Sequence, residues 1–453
     1  GKIGLRPDRA TIPYAQRARE AFPGVPVVAG GVEASLRRLA HFDYWSETVR
    51  PSILHDTKAD LLAYGMGEET IVELARRLKA GKTLKDCRDL RGVAYYLGAS
   101  ETPPSDADWV ELPSFEDVKA SKDHFLTMAR LAHRETSPFN AKGLVQKHGA
   151  RTVVVTPPQL PVSQERMDFY YGLPFTRRPH PRYVNQPIPA WEMIKDSVTI
   201  MRGCFGGCTF CSITAHQGRT IQSRSEQSVI SELKKMTADP EFKGVVSDIG
   251  GPTANMYQMR CTKPEIEAIC KRQSCVHPTI CKCLGTDHKP VIDLMKKSRE
   301  LPGMKKVFVS SGIRMDLARL SPEYVSELTK HHVSGRLKIA PEHTDPDTLE
   351  LMKKPRHWTF EDFAKQFERE SEKAGKKQFL VPYFISSHPG SGLKAMIDLA
   401  VFLKRNGYKP DQVQDFIPAP HDLATAMYYT GKNPETGLPV PDGKLWLATG
   451  IYP

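Results

Sequence analysis

From residue 197 onward, short apolar runs of strand length alternate with stretches whose apolar residues recur every three to four positions. Runs at 197–202, 244–249, 306–310, 336–340, 379–385 and 412–417 predict strands, and helical spacing at 226–237, 290–299, 322–331, 359–374 and 392–405 predicts the helices between them. Such alternation implies a parallel sheet, and right-handed crossovers curl it into a barrel or partial barrel. The expected architecture is therefore α/β, with a partial (β/α)6 TIM-like barrel whose ligand-binding residues lie just beyond the strand C-termini.

The first 85 residues show the same alternation less regularly. A helix is predicted at 14–22, a buried strand at 25–29, a turn at Gly30-Gly31 opening a helix at 34–39, a strand at 59–64, and a helix at 69–79 after the turn Gly65-Met-Gly67. This predicts a partial Rossmann-like unit with a parallel sheet and a crevice at its strand ends. Between 86 and 190 the pattern is mixed, broken by Pro103-Pro104, Pro157-Pro158 and the prolines from 179 to 189, with one clear strand at 152–156. The predicted division is a Rossmann-like domain at 1–85, a connecting region at 86–190, the barrel at 191–430 with a Cys-rich insertion at 255–288, and a tail at 431–453. Because Gly1 falls mid-pattern, an incomplete N-terminus is expected.

A chain of 453 residues with 40% hydrophobic and 26% charged residues has the composition of a soluble globular protein of two or three domains. No apolar run approaches the roughly 20 residues of a membrane span and nothing reads as a signal peptide, so a cytoplasmic protein without a membrane partner is expected. The net charge of +12 favours a polyanionic partner such as RNA or a ribosome, or else reflects a dispersed basic surface. Cysteine usage changes the picture most. Eight of the nine cysteines lie between 204 and 283, which argues for a reducing compartment and for metal or cluster ligation rather than disulfides.

Three of them stand in Met201-Arg-Gly-Cys-Phe-Gly-Gly-Cys-Thr-Phe-Cys-Ser212, directly after the first barrel strand. Gly203, Gly206 and Gly207 let this loop curl so that Cys204, Cys208 and Cys211 aim at one point, and thiolates favour zinc or iron-sulfur clusters. Three ligands are one short of a closed structural zinc site. The open position suggests completion by a substrate or cofactor; a zinc loop or three unrelated buried cysteines are the alternatives. The spacing resembles the C-x-x-x-C-x-x-C signature of the radical S-adenosylmethionine (SAM) superfamily. That resemblance implies a 4Fe-4S cluster on Cys204, Cys208 and Cys211, SAM bound to the fourth iron, and an electron donor such as flavodoxin or ferredoxin.

The following strand ends carry ligand-type residues. After the second come Gly250 and Gly251, which the resemblance places against the SAM amino group. After the third come Ser310 and Ser311, able to bond ribose hydroxyls, with Arg314 and Asp316, able to pair with a carboxylate and a hydroxyl. Glu342 and His343 follow the fourth strand and His388 the fifth; these are the candidates for SAM or substrate contact and for proton transfer.

The motifs Gln222-Ser-Arg-Ser225, Gly250-Gly-Pro-Thr-Ala-Asn-Met256, Lys338-Ile-Ala-Pro-Glu-His343 and Thr425-Ala-Met-Tyr-Tyr-Thr-Gly-Lys432, with Glu33-Ala-Ser-Leu-Arg-Arg38 and His41-Phe-Asp-Tyr-Trp-Ser46, resemble the YgiQ family of radical SAM proteins over about residues 6–435. The tail from 436 to 453 lacks a familiar pattern, so a truncated or altered C-terminus is expected. The first domain resembles the cobalamin-binding-like domain that precedes many such barrels; the cobalt-ligating His would lie upstream, so cobalamin is not testable here. The insertion places Cys261, Cys270, Cys275, Cys281 and Cys283 within 23 residues. The expectation is an auxiliary 4Fe-4S cluster on the first four, with Cys283 as the extra; zinc, with His277 as an optional ligand, is the runner-up. The function expected is reductive cleavage of SAM to a 5'-deoxyadenosyl radical acting on an unknown substrate such as RNA or a ribosomal protein. The alternative is a non-catalytic iron-sulfur or zinc protein that binds nucleic acid.

Overall fold

The computed structural model describes residues 8–105, 108–183, 186–356, 358–408 and 413–443. The first seven residues, the end of the tail from 444 and the start of the last predicted strand at 412 lie outside the described residues.

The N-terminal half is built on one six-stranded sheet. Its strands are β1 (Val28–Ala29), β2 (Leu61–Ala63), β3 (Val93–Leu97), β4 (Trp109–Leu112), β5 (Gly143–His148) and β6 (Arg151–Val155), ordered β1-β2-β3-β6-β5-β4. Period-two alternation sends Leu62, Ala94, Val153 and Val155 into one core and Leu61, Val93, Tyr95 and Val154 into another on the opposite face. Both faces are covered, which is why these strands read as continuous apolar runs.

Two expectations are corrected here. The sheet is mixed: β1 and β2 pair in parallel, but β3 runs antiparallel to β2 with Ala63 opposite Val93. After helix α2 (Glu68–Lys79) the chain re-enters the sheet where it left, so α2 does not act as a crossover. The expected boundary at 85 also falls inside this sheet, because β3 to β6 come from the presumed connecting region and pair with β2. Prolines at 103–104 and 157–158 flank these strands without interrupting them. The short helix α1 (Gly31–Leu36) follows β1.

The second half follows its predicted pattern closely. In chain order lie β7 (Ser197–Thr199), β8 (Asp248–Gly250), β9 (Lys306–Val307), β10 (Arg336–Glu342), β11 (Phe379–Ser386) and β12 (Val413–Asp415): β7 pairs in parallel with β8, the segment Val245–Val246 with β9, and β10, β11 and β12 form one three-stranded parallel sheet. Val198 lies opposite Ile249, Val246 opposite Val307, Leu337 opposite Leu380 and Ile385 opposite Gln414. The Ile249 N–H donates to the Phe308 carbonyl, and an isolated parallel bridge joins Ile313 to Ile339. Between the strands lie α3 (Glu226–Thr237), α4 (Lys289–Arg299), α5 (Pro322–Glu327), α6 (Trp358–Lys373) and α7 (Leu393–Arg405); α8 (Leu423–Thr430) follows β12. Val229, Leu233 and Met236 on α3, and Phe360, Phe363 and Phe367 on α6, repeat at helical spacing and bury one face each in a common core.

Behind that core, Glu327 accepts hydrogen bonds from Arg299 and His332 at 3.1 and 3.2 Å. Burial opposes its charge, but these partners hold the carboxyl down at about 2, below the ordinary 4.5. A folded-state value below the unfolded one stabilises fully above about 4.5, and the benefit is lost as pH falls toward 2. Glu327→Gln is therefore expected to cost about 1 kcal/mol at neutral pH once solvent screening is allowed for. Its thermal unfolding midpoint should converge on that of the wild type between pH 4.5 and 2.5; parallel curves would refute the assignment.

Candidate active site

Just past β7, Met201–Arg202 pairs antiparallel with Gln222–Ser223 and pinches the base of the loop carrying Cys204, Cys208 and Cys211. At Gly207 the backbone has φ +66°, and an added Cβ would lie 2.3 Å from the Gln273 carbonyl oxygen, so only glycine lets the loop turn against the insertion. Burial pushes the Cys204 and Cys211 thiols up, and proximity to Cys208 adds to both shifts. Arg314 offsets part of this for Cys204, and its Nη1 stands 3.9 Å from the Cys208 sulfur. Two desolvated thiols, a third thiol between them in sequence and one guanidinium nearby suit a multiply charged iron core that would hold the three as thiolates. Among the described residues no three Cys, His, Asp or Glu side chains form a group that could hold a single metal ion. A tetrahedral zinc ion would draw its sulfurs to within about 4 Å of one another, whereas a cubane cluster offers each thiolate its own iron.

The strand-end residues divide into those that meet this loop and those that brace it. Gly250 is buried and its carbonyl accepts from the Ile200 N–H at 2.8 Å, while a Cβ on Gly251 would come within 2.6 Å of the Met201 oxygen. Their observed use is close packing of β8 on the root of the loop. Arg314 and Asp316 pair with each other at 2.9 and 2.5 Å; burial works against the Asp316 carboxyl, but Arg314 holds it below its ordinary value. The Ser310 hydroxyl donates to the Ser247 carbonyl at 2.7 Å, and the N–H groups of Ser310 and Ser311 donate to Asp248 at 2.7 and 3.0 Å. Asp248 is a residue the sequence reading missed. Burial pushes its carboxyl up and the two N–H groups pull it down; a lone carboxylate inside the apolar run 244–249 was the available signal.

Glu342 faces a cavity of about 280 Å³ that it shares with Phe210, Cys211, Tyr383, Gln414 and Phe416. Pro341 has no N–H for the ladder, and the register of β10 against β11 shifts between Ile339 and Glu342. Glu342 adopts φ +69°, an uncommon conformation for a residue with a side chain. Its Oε1 lies 3.6 Å from Lys354 Nζ, and its Oε2 is buried without a hydrogen-bond partner. Burial pushes this carboxyl up, and Lys354 and then Arg314 pull it back. A larger cavity of about 750 Å³ lies between residues 168–178 and α3, beside the start of β7, and contains none of the candidate residues.

The two histidines do not reach the cavity. His343 is fully buried; its Nδ1 accepts from the Asp345 N–H and its Nε2 donates to Ser391 Oγ, both at 3.0 Å. His388 donates from Nδ1 to the Pro389 carbonyl at 2.7 Å and packs edge-on against Phe210 and Phe416, behind the cavity wall. Burial pushes it down to about 3, so it is a neutral packing group near neutral pH.

Asp422, also missed, stands at the residue before α8, but its carboxylate turns away from the helix end and accepts from the Ser212 hydroxyl at 3.0 Å. The Ala424 N–H donates to the Thr209 carbonyl and the Thr209 N–H to that of Met352, so α8 and the end of the helix Pro346–Met352 clamp the cysteine loop. On its other side the residues flanking the loop meet helices of the N-terminal half, through Arg202–Glu68 of α2 at 2.5 Å and His216–Ser35 of α1 at 3.3 Å. The five insertion cysteines line one cavity together with Arg219. His277 turns away to Glu350 at 3.2 Å, so its optional place among the zinc ligands is not supported.

Comparison with known proteins identifies the family. Residues 1–197 match the Radical SAM N-terminal family, 198–403 the Radical SAM superfamily, and 411–439 a domain of unknown function (DUF3362). A UPF0313 protein of Bradyrhizobium diazoefficiens is 52% identical, with 97% of this chain and 68% of that protein aligned. UPF0313 protein YgiQ of Salmonella typhimurium is 47% identical, with 95% and 67% aligned. The chain thus spans about two thirds of the length of these relatives. Among solved structures, the radical SAM methyltransferase TsrM from Kitasatospora setae, bound to tryptophan substrate and a SAM analogue, is 13% identical with a TM-score of 0.48, covering 91% of this chain and 59% of that one. The superfamily match sets aside the non-catalytic alternative, and no helix among the described residues is long and apolar enough to cross a membrane. On these identities over nearly its whole length, the chain belongs to the YgiQ (UPF0313) family and is a radical SAM enzyme.

Proposed function

We propose that β7 to β12 form a partial (β/α)6 barrel in which Cys204, Cys208 and Cys211 hold a 4Fe-4S cluster, and that SAM and a substrate meet in the cavity between Cys211 and Glu342. The observation that carries this reading is the cavity itself, which opens between a cysteine of the loop and an orphaned carboxylate on a strained backbone. When bound, the cluster supplies one electron to the SAM sulfonium, giving methionine and a 5'-deoxyadenosyl radical.

The chain's own residues orient and enclose. The buried Arg314–Asp316 pair places the Arg314 guanidinium beside Cys208, which favours the net negative charge of a thiolate-bound cluster. Glu342 Oε2, lacking a donor of its own, accepts a hydrogen bond from SAM or substrate. Phe210 and Phe416, backed by His388, keep water from the cavity wall. The Asp248 network with Ser310 and Ser311 fixes the third strand end, leaving those serines solvent-exposed at the rim, where they can contact the nucleoside. The charge of +12 favours a polyanionic substrate, RNA or a ribosomal component.

The test is direct. Protein reconstituted with iron and sulfide, reduced with dithionite and given SAM should form 5'-deoxyadenosine and methionine in equal amounts. Absence of both from a preparation with a full complement of iron would overturn the reading. Comparing RNA and ribosomal protein modifications in cells with and without the gene then identifies the substrate; identical modification patterns would exclude both classes.

A further inference from the structure

We propose that the cysteine-rich insertion holds a second 4Fe-4S cluster, fully ligated by protein, that relays electrons to the first. Cys261, Cys270, Cys275, Cys281 and Cys283 are far from evenly spaced in sequence, yet all five line one cavity. Cys281 and Cys270 lie close enough to Cys275 to act on its thiol electrostatically, and Cys283 stands in the same relation to Cys281 and Cys261.

Arg219 lines the same cavity and is the second, independent observation. Its Nε is buried without a hydrogen-bond partner, and it shares the cavity with all five cysteines. A desolvated guanidinium N–H with no acceptor is costly, because nothing replaces the water it has lost. A cubane bound by four thiolates carries net negative charge and gives that guanidinium its counter-ion. Residues Ser137, Pro138 and Phe139 of the N-terminal half cover the cavity, and Asn140 Nδ2 donates to the carbonyls of Ala268 and Cys270 at 2.9 and 3.2 Å.

Five thiols can ligate every iron of a cubane. A cluster with no open iron has no place for SAM or substrate to bind, which suits it to electron transfer. Its position suits that role. The Cys275 N–H donates to the Phe205 carbonyl at 3.0 Å and Ser274 Oγ to that of Gly206 at 2.6 Å, so a ligand of one site touches the backbone between Cys204 and Cys208 of the other. In the relay a reduced donor of the flavodoxin or ferredoxin class loses one electron, the second cluster passes from the 2+ to the 1+ state, and it returns to 2+ as the first cluster gains the electron. No bond is made or broken. The acceptor in this scheme rests on the radical SAM reading above; the existence of the site does not.

The two can therefore fail separately. A chain carrying Cys204→Ala, Cys208→Ala and Cys211→Ala, reconstituted with ferrous iron and sulfide, should still hold about four iron and four sulfide per chain and give a reduced-cluster electron paramagnetic resonance signal. Bound zinc, or no iron, overturns the second site even if the wild type cleaves SAM. Conversely, iron retained here with no 5'-deoxyadenosine from the wild type overturns the radical chemistry alone. For the relay, Cys275→Ser with Cys281→Ser should lower the ratio of flavodoxin-driven to dithionite-driven 5'-deoxyadenosine formation by at least about tenfold. Should that variant not fold, Arg219→Gln should keep the iron count, lower the potential of the second cluster and reduce the same ratio; an unchanged ratio overturns the relay.

Discussion

Cys208→Ala is expected to lose the visible absorbance of the loop cluster and to reduce 5'-deoxyadenosine formation to the level of protein-free controls. Removing a partner that merely orients a metal ligand costs about 10 to 100-fold, and losing one of three ligands exceeds that because the cluster itself is shed. The effect is specific to the loop. Cys208 neighbours Cys204 and Cys211 electrostatically and lies beside Arg314, whereas Cys87 is buried in the N-terminal half against Leu74 and Leu84. Cys87→Ala should cost about 1 kcal/mol of stability, as a small buried side chain does, and leave 5'-deoxyadenosine formation within about twofold of wild type. If Cys208→Ala kept its loop cluster and still cleaved SAM, the ligand assignment would be wrong.

The second large effect is expected at Glu342. Its Oε2 is desolvated and unpaired, so it destabilises the fold in the absence of a ligand and is positioned to take a donor from one. Glu342→Gln keeps the volume and removes the charge. A hydrogen bond to a charged group contributes about 1.5–3 kcal/mol, which translates to a fall of about 10 to 150-fold in 5'-deoxyadenosine formation or substrate modification. The same variant should melt near the wild-type temperature, because the orphaned Oε2 charge is removed while an amide oxygen can still face Lys354. Lower activity together with undiminished stability marks a ligand-contacting residue; an unchanged rate, or a loss of activity explained by unfolding, would remove Glu342 from the site.

The residues that were legible in advance share a property. Val229, Leu233 and Met236, or Phe360, Phe363 and Phe367, announce helices because burial of one face imposes a period near 3.6 on the chain itself. The cysteine loop stood out because Cys204, Cys208 and Cys211 lie close together in sequence on a glycine-rich segment. Asp248 and Asp422 were not, since each acts through a partner 62 or 210 positions away, Ser310 and Ser212 respectively. His343 and His388 looked catalytic at strand ends, yet rotamer and packing turn them into Ser391 and against Phe210. Sequence position brings a side chain to the rim but does not say which way it faces.

By itself, then, the sequence determined the strand and helix order of the second half, the three-cysteine loop that follows its first strand, and the family, because local periodicity and short motif spacings are properties of neighbouring residues. Tertiary structure alone decided three things. The N-terminal strands beyond residue 85 belong to one mixed sheet, because β3 returns to the end of β2. Glu342, among three candidates, reaches the cavity, because a register shift at Pro341 re-aims it. The two groups of cysteines become neighbours through Cys275 and Phe205, because a contact between residues 70 positions apart is set by how the insertion packs on the loop rather than by either segment's own pattern.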